Sequence, residues 1–167
     1  MNQVFILSGV SGSGKSTWAR KKNLPICSTD LIIDEFAKKH GLNYTQAFNE
    51  IQSRHLFGTI TEHFYQNMEK FVKNNLDFAI DRTNINFSVR SNLIQRIKQI
   101  SPDLSIIVVY FDIPKDVILK RLQNRQNETG KKISDLNISK QFERLQFPKK
   151  EEGFDKLIVV RLKEKVK

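Results

Sequence analysis

The 167-residue chain has one cysteine, four prolines and seven glycines. A lone Cys27 cannot close an internal disulfide, so nothing points to an oxidising compartment, and it cannot build a Cys-rich zinc site. Long apolar runs are missing as well. The longest, around Ile106–Phe111, falls far short of the ~20 residues that a bilayer-spanning helix requires. The opening MNQVFILSGV lacks the basic region and small-residue cleavage site of a signal peptide. The resulting expectation is a cytoplasmic protein with no membrane partner. No repeat, low-complexity tract or Pro/Gly/Ser-rich linker interrupts the chain, so one domain over 1–167 is expected.

Negative charge is also scarce. Eighteen Asp and Glu stand against 28 Lys and Arg, a formal net charge of +10. The excess is concentrated after residue 114, where 15 basic residues face 8 acidic ones, a net of +7. Such a field attracts polyanions. It is equally what a solvated basic tail produces, and Lys163, Lys165 and Lys167 fit that second reading. Composition leaves the two open.

What the chain does have is enough apolar material for a core: 39% hydrophobic residues, including 12 Phe. β-rich apolar runs recur at 4–7, 25–27, 78–80, 105–111 and 157–160. Helical patterns alternate with them at 17–22, 31–39, 45–72, 87–100, 116–125 and 138–145. Continuously apolar strands alternating with helices read as a parallel sheet covered on both faces. Ligands of such sheets bind beyond the carboxyl ends of the strands, which directs attention to the residues after Leu7, Cys27, Ile80 and Phe111.

After the first strand comes Gly9-Val10-Ser11-Gly12-Ser13-Gly14-Lys15-Ser16-Thr17, a G-x-x-x-x-G-K-[ST] P-loop in the strand–loop–helix context that the motif needs. Gly9, Gly12 and Gly14 let the backbone curl its N–H groups around phosphate oxygens, with Ser11, Ser13 and Thr17 completing the cradle. Lys15 is expected to reach the β- and γ-phosphates of ATP, and Ser16 to bind the Mg²⁺ that bridges them.

Three further groups sit where such a nucleotide would be used. Asp30 follows the second strand, placed either to accept a proton from an attacking hydroxyl or to serve at the helix N-terminus. Asp34, one turn on, shares its face and competes for the role of base. Asp81 ends the third strand, where a carboxylate can hold Mg²⁺ or the Ser16 hydroxyl. Arg121 and Arg125 share a helical face and can neutralise charge on a transferring phosphoryl group.

Together, GVSGSGKSTWAR, the STD after the second strand, DRTN after the third, R-x-x-x-R and FPKKEEGFD before the last strand resemble the 5′-polynucleotide kinase family of small P-loop kinases. Zeta-toxin-like kinases are more distant relatives. The resemblance spans essentially the whole chain and does not extend to the companion phosphatase domain that some members carry. It implies a P-loop NTPase three-layer α/β/α fold with a five-stranded parallel sheet and a helical lid. It also implies an ATP- and Mg²⁺-dependent transfer to the 5′-hydroxyl of RNA or DNA, a nucleic acid repair type of activity.

By this resemblance Asp30 is the general base, Lys15, Arg121 and Arg125 assist the transfer, and Ser16 and Asp81 serve the metal. Arg82, Thr83 and Asn84 border the acceptor. Two positions depart from the family pattern. Ile33 stands where an acceptor-binding arginine is common, and Arg82 where some members have an acid. Arg54, Arg90, Lys131 and Lys132 are further candidates to hold polynucleotide phosphates. Phe87 and Tyr44 are candidates to stack bases, with Phe48 expected in the core. A kinase of a small hydroxylated metabolite or nucleotide sugar is the alternative, and a non-catalytic nucleotide-binding regulator is the third reading.

Overall fold

In the computed structural model, which describes residues 2–162, five parallel strands form one sheet in the order β2-β3-β1-β4-β5. They are β1 (Gln3–Ser8), β2 (Ile26–Cys27), β3 (Phe78–Asp81), β4 (Ser105–Asp112) and β5 (Lys156–Arg161). Residues 163–167, including the three terminal lysines, lie outside the described residues.

The strands are apolar throughout because both faces are covered. Along β1, Val4 and Ile6 point into one layer and Leu7 into the other, the two-residue alternation of a strand. β3 and β4 split likewise: Phe78, Ile80, Ile106 and Val108 on the first side, Ala79, Ile107, Val109 and Phe111 on the second. The first layer contains α2 (Thr29–His40), α3 (Tyr44–Ser53), α4 (Phe57–Lys73) and α5 (Phe87–Ile100). The second contains α1 (Lys15–Lys21), α6 (Lys115–Thr129) and α7 (Asp135–Arg144). The expected three-layer α/β/α architecture is therefore observed.

The sequence spacing over 45–72 suggests one helical run, and the chain makes two helices of it. Arg54 is the C-cap of α3, and the next residue, His55, takes a left-handed φ of 56°. The His55 N–H donates to Gln52 O and the Leu56 N–H to Ile51 O, a paired closure that satisfies the last carbonyls and turns the chain into α4. Apolar periodicity does not register such a break, since Ala47, Ile51, Ile60 and Phe64 are buried on either side of it.

Strand β1 lies between β3 and β4. The connections leave its carboxyl end in opposite directions there, so a crevice opens beyond it. Several motifs work beneath that crevice rather than in it. Glu152, in a short 3-10 turn (Lys150–Glu152) before β5, grips Arg90 of α5 through two bonds of 2.6 Å, and both side chains are fully buried. The same guanidinium reaches Ser8 Oγ at 3.3 Å and the Asn84 carbonyl at 3.1 Å. Arg90 is thus unable to meet a polynucleotide, contrary to the expectation from its charge. It clamps β1, the β3 loop and the β5 approach from below.

Candidate active site

A cleft of about 1130 Å³ opens above the carboxyl ends of the strands. That exceeds the ~300–1,000 Å³ typical of a single small-molecule site. Its floor is the loop between β1 and α1. Gly12 and Gly14 adopt φ of 84° and 101°, conformations that a side chain resists. A Cβ on Gly12 would also lie 2.9 Å from Leu122 Cγ of α6, so the loop and the α6 helix are fitted closely. Lys15 begins α1 and is buried, its Nζ donating to the carbonyls of Gly9 (2.9 Å) and Val10 (2.8 Å). Burial is the main influence on this ammonium and brings it down to about 8. The carboxylates of Asp81 and Asp30 oppose that fall and Arg125 reinforces it.

Ser16, one residue on, donates to Asp81 Oδ2 at 2.5 Å. The end of β3 therefore meets the start of α1, joining the two residues expected to serve a metal. Among the described residues there is no cluster of three acidic, histidine or cysteine side chains fit to cage a cation. A hydroxyl with one carboxylate suits Mg²⁺, which is usually held by few protein ligands and completed by waters and phosphate oxygens.

Asp30 stands on the opposite wall, in the first turn of α2. Ser28 caps that helix by accepting from the Asp30 N–H at 3.1 Å, which leaves the Asp30 carboxylate free to face the cleft. Its Oδ1 accepts from Tyr44 Oη and its Oδ2 from Lys131 Nζ, both at 2.8 Å. Burial raises the Asp30 carboxyl, but the Lys131 charge and hydrogen bond, the Tyr44 hydroxyl and the Arg125 charge together outweigh it. The net result lies below the ordinary carboxylate value. Tyr44 is raised in turn by burial and by the same carboxylate. Asp34 also lines the cleft, while Ile33 points into the core with only 3% exposed.

The two arginines of α6 take different places. Arg121 is exposed and donates to the Ser13 carbonyl at 3.2 Å. Arg125 lines the cleft with Nε and Nη2 buried and without a partner among the described residues. Its charge is felt by Lys15, Asp30 and Tyr44, which line the same cleft. A buried guanidinium with unmade bonds is costly unless an anion completes it.

The β3 loop divides its expected roles. Arg82 and Thr83 line the cleft, the Arg82 guanidinium resting 4.7 Å over the Phe64 ring. Asn84 does not reach an acceptor. It is 1% exposed at φ 42°, and its Nδ2 donates to the Leu7 carbonyl at 2.9 Å, tying the loop to the end of β1. Of the remaining candidates, Arg54 pairs with Glu50 at 2.6 Å on α3 and, like the exposed Lys132, is not part of the cleft wall. Phe48, expected in the core, is 37% exposed and packs between Tyr44 and Phe57. Burial pushes the Cys27 thiol up to about 12, consistent with a small core residue and not a nucleophile.

Two contacts had no signal in the sequence. Gln141 of α7 accepts from the Ser11 N–H at 2.8 Å, joining the last helix of the second layer to the phosphate loop across 130 positions. Tyr44 stood out only as an aromatic; its bond to Asp30 requires α3 to fold back over α2. Neither pairing follows a periodicity.

The chain has the fold of known kinases. A candidate kinase from Chloroflexus aurantiacus J-10-fl superposes with a TM-score of 0.70 at 17% identity, over 96% of this chain and 85% of that one. A sugar kinase from Janibacter sp. HTCC2649 gives 0.60 at 17% identity, over 96% and 86%. A fungal RNA kinase gives 0.52 at 16%, over 98% and 76%. No curated protein sequence matches the chain. No helix among the described residues is long and apolar enough to cross a membrane. Residues 4–148 match the AAA domain model AAA_33, a span running from β1 through the phosphate loop, both cleft walls and α7, and the chain belongs to that family of P-loop domains.

Proposed function

We propose that this protein is an ATP-dependent kinase of 5′-hydroxyl ends of RNA or DNA. The observation that carries the phosphoryl-transfer reading is the Arg125 guanidinium, whose Nε and Nη2 are buried without a partner among the described residues in the cleft that Lys15 and Asp30 also line. A transferring phosphoryl group supplies the anion this arrangement lacks. The N–H groups of the phosphate loop and the Lys15 ammonium bind the donor phosphates, and Arg121 and Arg125 stabilise charge on the group in transit. Ser16 and Asp81 would hold Mg²⁺, which neutralises charge between the β- and γ-phosphates when bound. The acceptor oxygen attacks the γ-phosphorus, its proton passes to Asp30, and the bond to the β-phosphate oxygen breaks to release ADP.

The polynucleotide acceptor rests on the surplus of positive charge, on Arg82 and Lys131 along the acceptor wall, and on the sequence resemblance. The fungal RNA kinase shares the fold. A small-metabolite acceptor is favoured by one specific observation: Ile33 is buried in the core, so α2 presents no cation at the position where polynucleotide kinases often have arginine. The fold is also that of a sugar kinase.

Incubation with γ-labelled ATP, Mg²⁺ and a panel of acceptors separates these. We expect label on 5′-hydroxyl oligonucleotides and none on 5′-phosphorylated controls. Label on metabolites alone would sink the polynucleotide reading. Ionic strength gives an independent measure. Oligonucleotide affinity is expected to fall by roughly 0.7 logarithmic units per tenfold rise in salt for each single-strand phosphate neutralised, and a flat response would mean that the charge is not a binding surface.

A further inference from the structure

Each carboxylate oxygen of the base proposed for the transfer already accepts a hydrogen bond. Tyr44 occupies Asp30 Oδ1 and Lys131 occupies Oδ2, each at 2.8 Å. The Lys131 ammonium also sits 3.4 Å from the centre of the Tyr44 ring, so one cation is held by a carboxylate and an aromatic face at once. Lys131 belongs to the stretch between α6, which ends at Thr129, and α7, which begins at Asp135. It reaches the carboxylate across 101 positions. Its side chain is only 19% exposed, whereas that of Asp30 is 56% exposed. The lysine is thus the more enclosed partner, tucked between the α6–α7 connection and the acceptor wall.

An acceptor hydroxyl has to approach the carboxylate that takes its proton to hydrogen-bonding distance. A hydroxyl that comes to Oδ2 shares that oxygen with the Lys131 ammonium and competes with it there. The adjacent positive charge also makes the carboxylate a poorer proton acceptor.

We propose that Lys131 is a latch on Asp30 Oδ2 and is drawn off it by an acceptor carrying negative charge beside its hydroxyl. The geometry gives the latch a reason to open selectively. A neutral sugar or water offers the ammonium no replacement for the carboxylate it must leave. A phosphodiester next to the hydroxyl offers a second anion, and the Tyr44 ring keeps the ammonium close while it exchanges partners. At position 33, α2 itself offers no competing cation, since Ile33 is buried; the other positive charge acting on Asp30 is that of Arg125 on α6. Lys131 is therefore a specificity-determining residue acting through the base: it suppresses transfer to neutral acceptors and to water, and releases the base for anionic ones. The inference rests on Asp30 being the base, and it deepens the polynucleotide reading without requiring it.

The test compares native protein with Lys131→Met, Lys131→Arg, and Lys131→Met combined with Asp30→Asn. It measures three rates with saturating MgATP: ATP hydrolysis to water, phosphorylation of an uncharged nucleoside, and phosphorylation of a 5′-hydroxyl dinucleotide. Lys131→Met is expected to raise the first two at least tenfold and to raise the dinucleotide KM. Lys131→Arg should restore both the suppression and the KM, and the double variant should lose the gain because it loses the base. A gain of rate is not the signature of a merely structural lysine.

If Lys131→Met leaves hydrolysis and nucleoside transfer unchanged, or lowers them, the latch is refuted. A gain that persists in the double variant refutes a latch on Asp30. Failure of the native protein to label any oligonucleotide instead removes the polynucleotide reading, while the hydrolysis and nucleoside rates still decide the latch.

Discussion

Replacing Asp30 by Asn is expected to lower phosphoryl transfer by roughly 10²–10⁴-fold, the range supplied by a positioned general base, while leaving ATP affinity nearly unchanged. The carboxamide keeps the shape and still accepts from Tyr44 or Lys131 through one oxygen. It cannot take the proton. The contacts proposed for ATP are Lys15, Ser16 and the loop amides, not Asp30, so equilibrium binding of a fluorescent ATP analogue should hardly move. Full residual turnover would reassign the base to Asp34, which lines the same cleft.

The pH dependence follows from the same surroundings. Burial pushes the Asp30 carboxyl up, but Lys131, Tyr44 and Arg125 together hold it below its ordinary value. A base with a lowered value stays ionised as the pH falls, so the acid limb of kcat/KM should appear below the ordinary aspartate range. Removing the Lys131 charge should move that limb upward. A limb that stays in place in Lys131→Met would mean that the ion pair does not govern ionisation of the base.

The second large effect concerns stability. Arg90→Met should destabilise the fold by about 3–5 kcal/mol, because Glu152 is left as a buried charge without its partner. At roughly 2–4 °C per kcal/mol for a chain of this size, thermal denaturation should shift downward by about 6–20 °C. Converting both residues to apolar side chains of similar volume should recover much of the loss, since desolvating the pair offsets most of its attraction. A shift under 2 °C for the single variant would mean that the clamp beneath β1 is dispensable. Oligonucleotide affinity per folded molecule should be unaffected by the single variant, which separates this arginine from those in the cleft.

These two sites show where reading along the chain succeeds and where it stops. The phosphate loop is legible because its chemistry is local: glycines, a lysine and a hydroxyl within nine consecutive residues, between a strand and a helix. The parallel sheet is legible because strands buried on both faces must be apolar throughout. Asp30 and Asp81 are legible as acids at the carboxyl ends of strands, where ligands of such sheets collect.

Arg90 and Asn84 are not legible in the same way. Their polarity suggests a surface role, yet each is buried with partners from distant parts of the chain: Glu152 lies 62 positions from Arg90 and Leu7 lies 77 from Asn84. The break at His55 is equally silent, since a helix closure of this kind does not disturb the apolar pattern on either side of it.

By itself, then, the sequence determined the fold class, the P-loop and the set of charged residues proposed for transfer, because these follow from local composition and period. The tertiary structure decided which charges face the cleft and which are consumed in the core. It directed Arg125 to the cleft and Arg90 to Glu152, and it brought Tyr44 and Lys131 onto Asp30. The physical reason is that a cation's role is set by whether a buried carboxylate lies within reach, and that partner is chosen by packing across the whole chain.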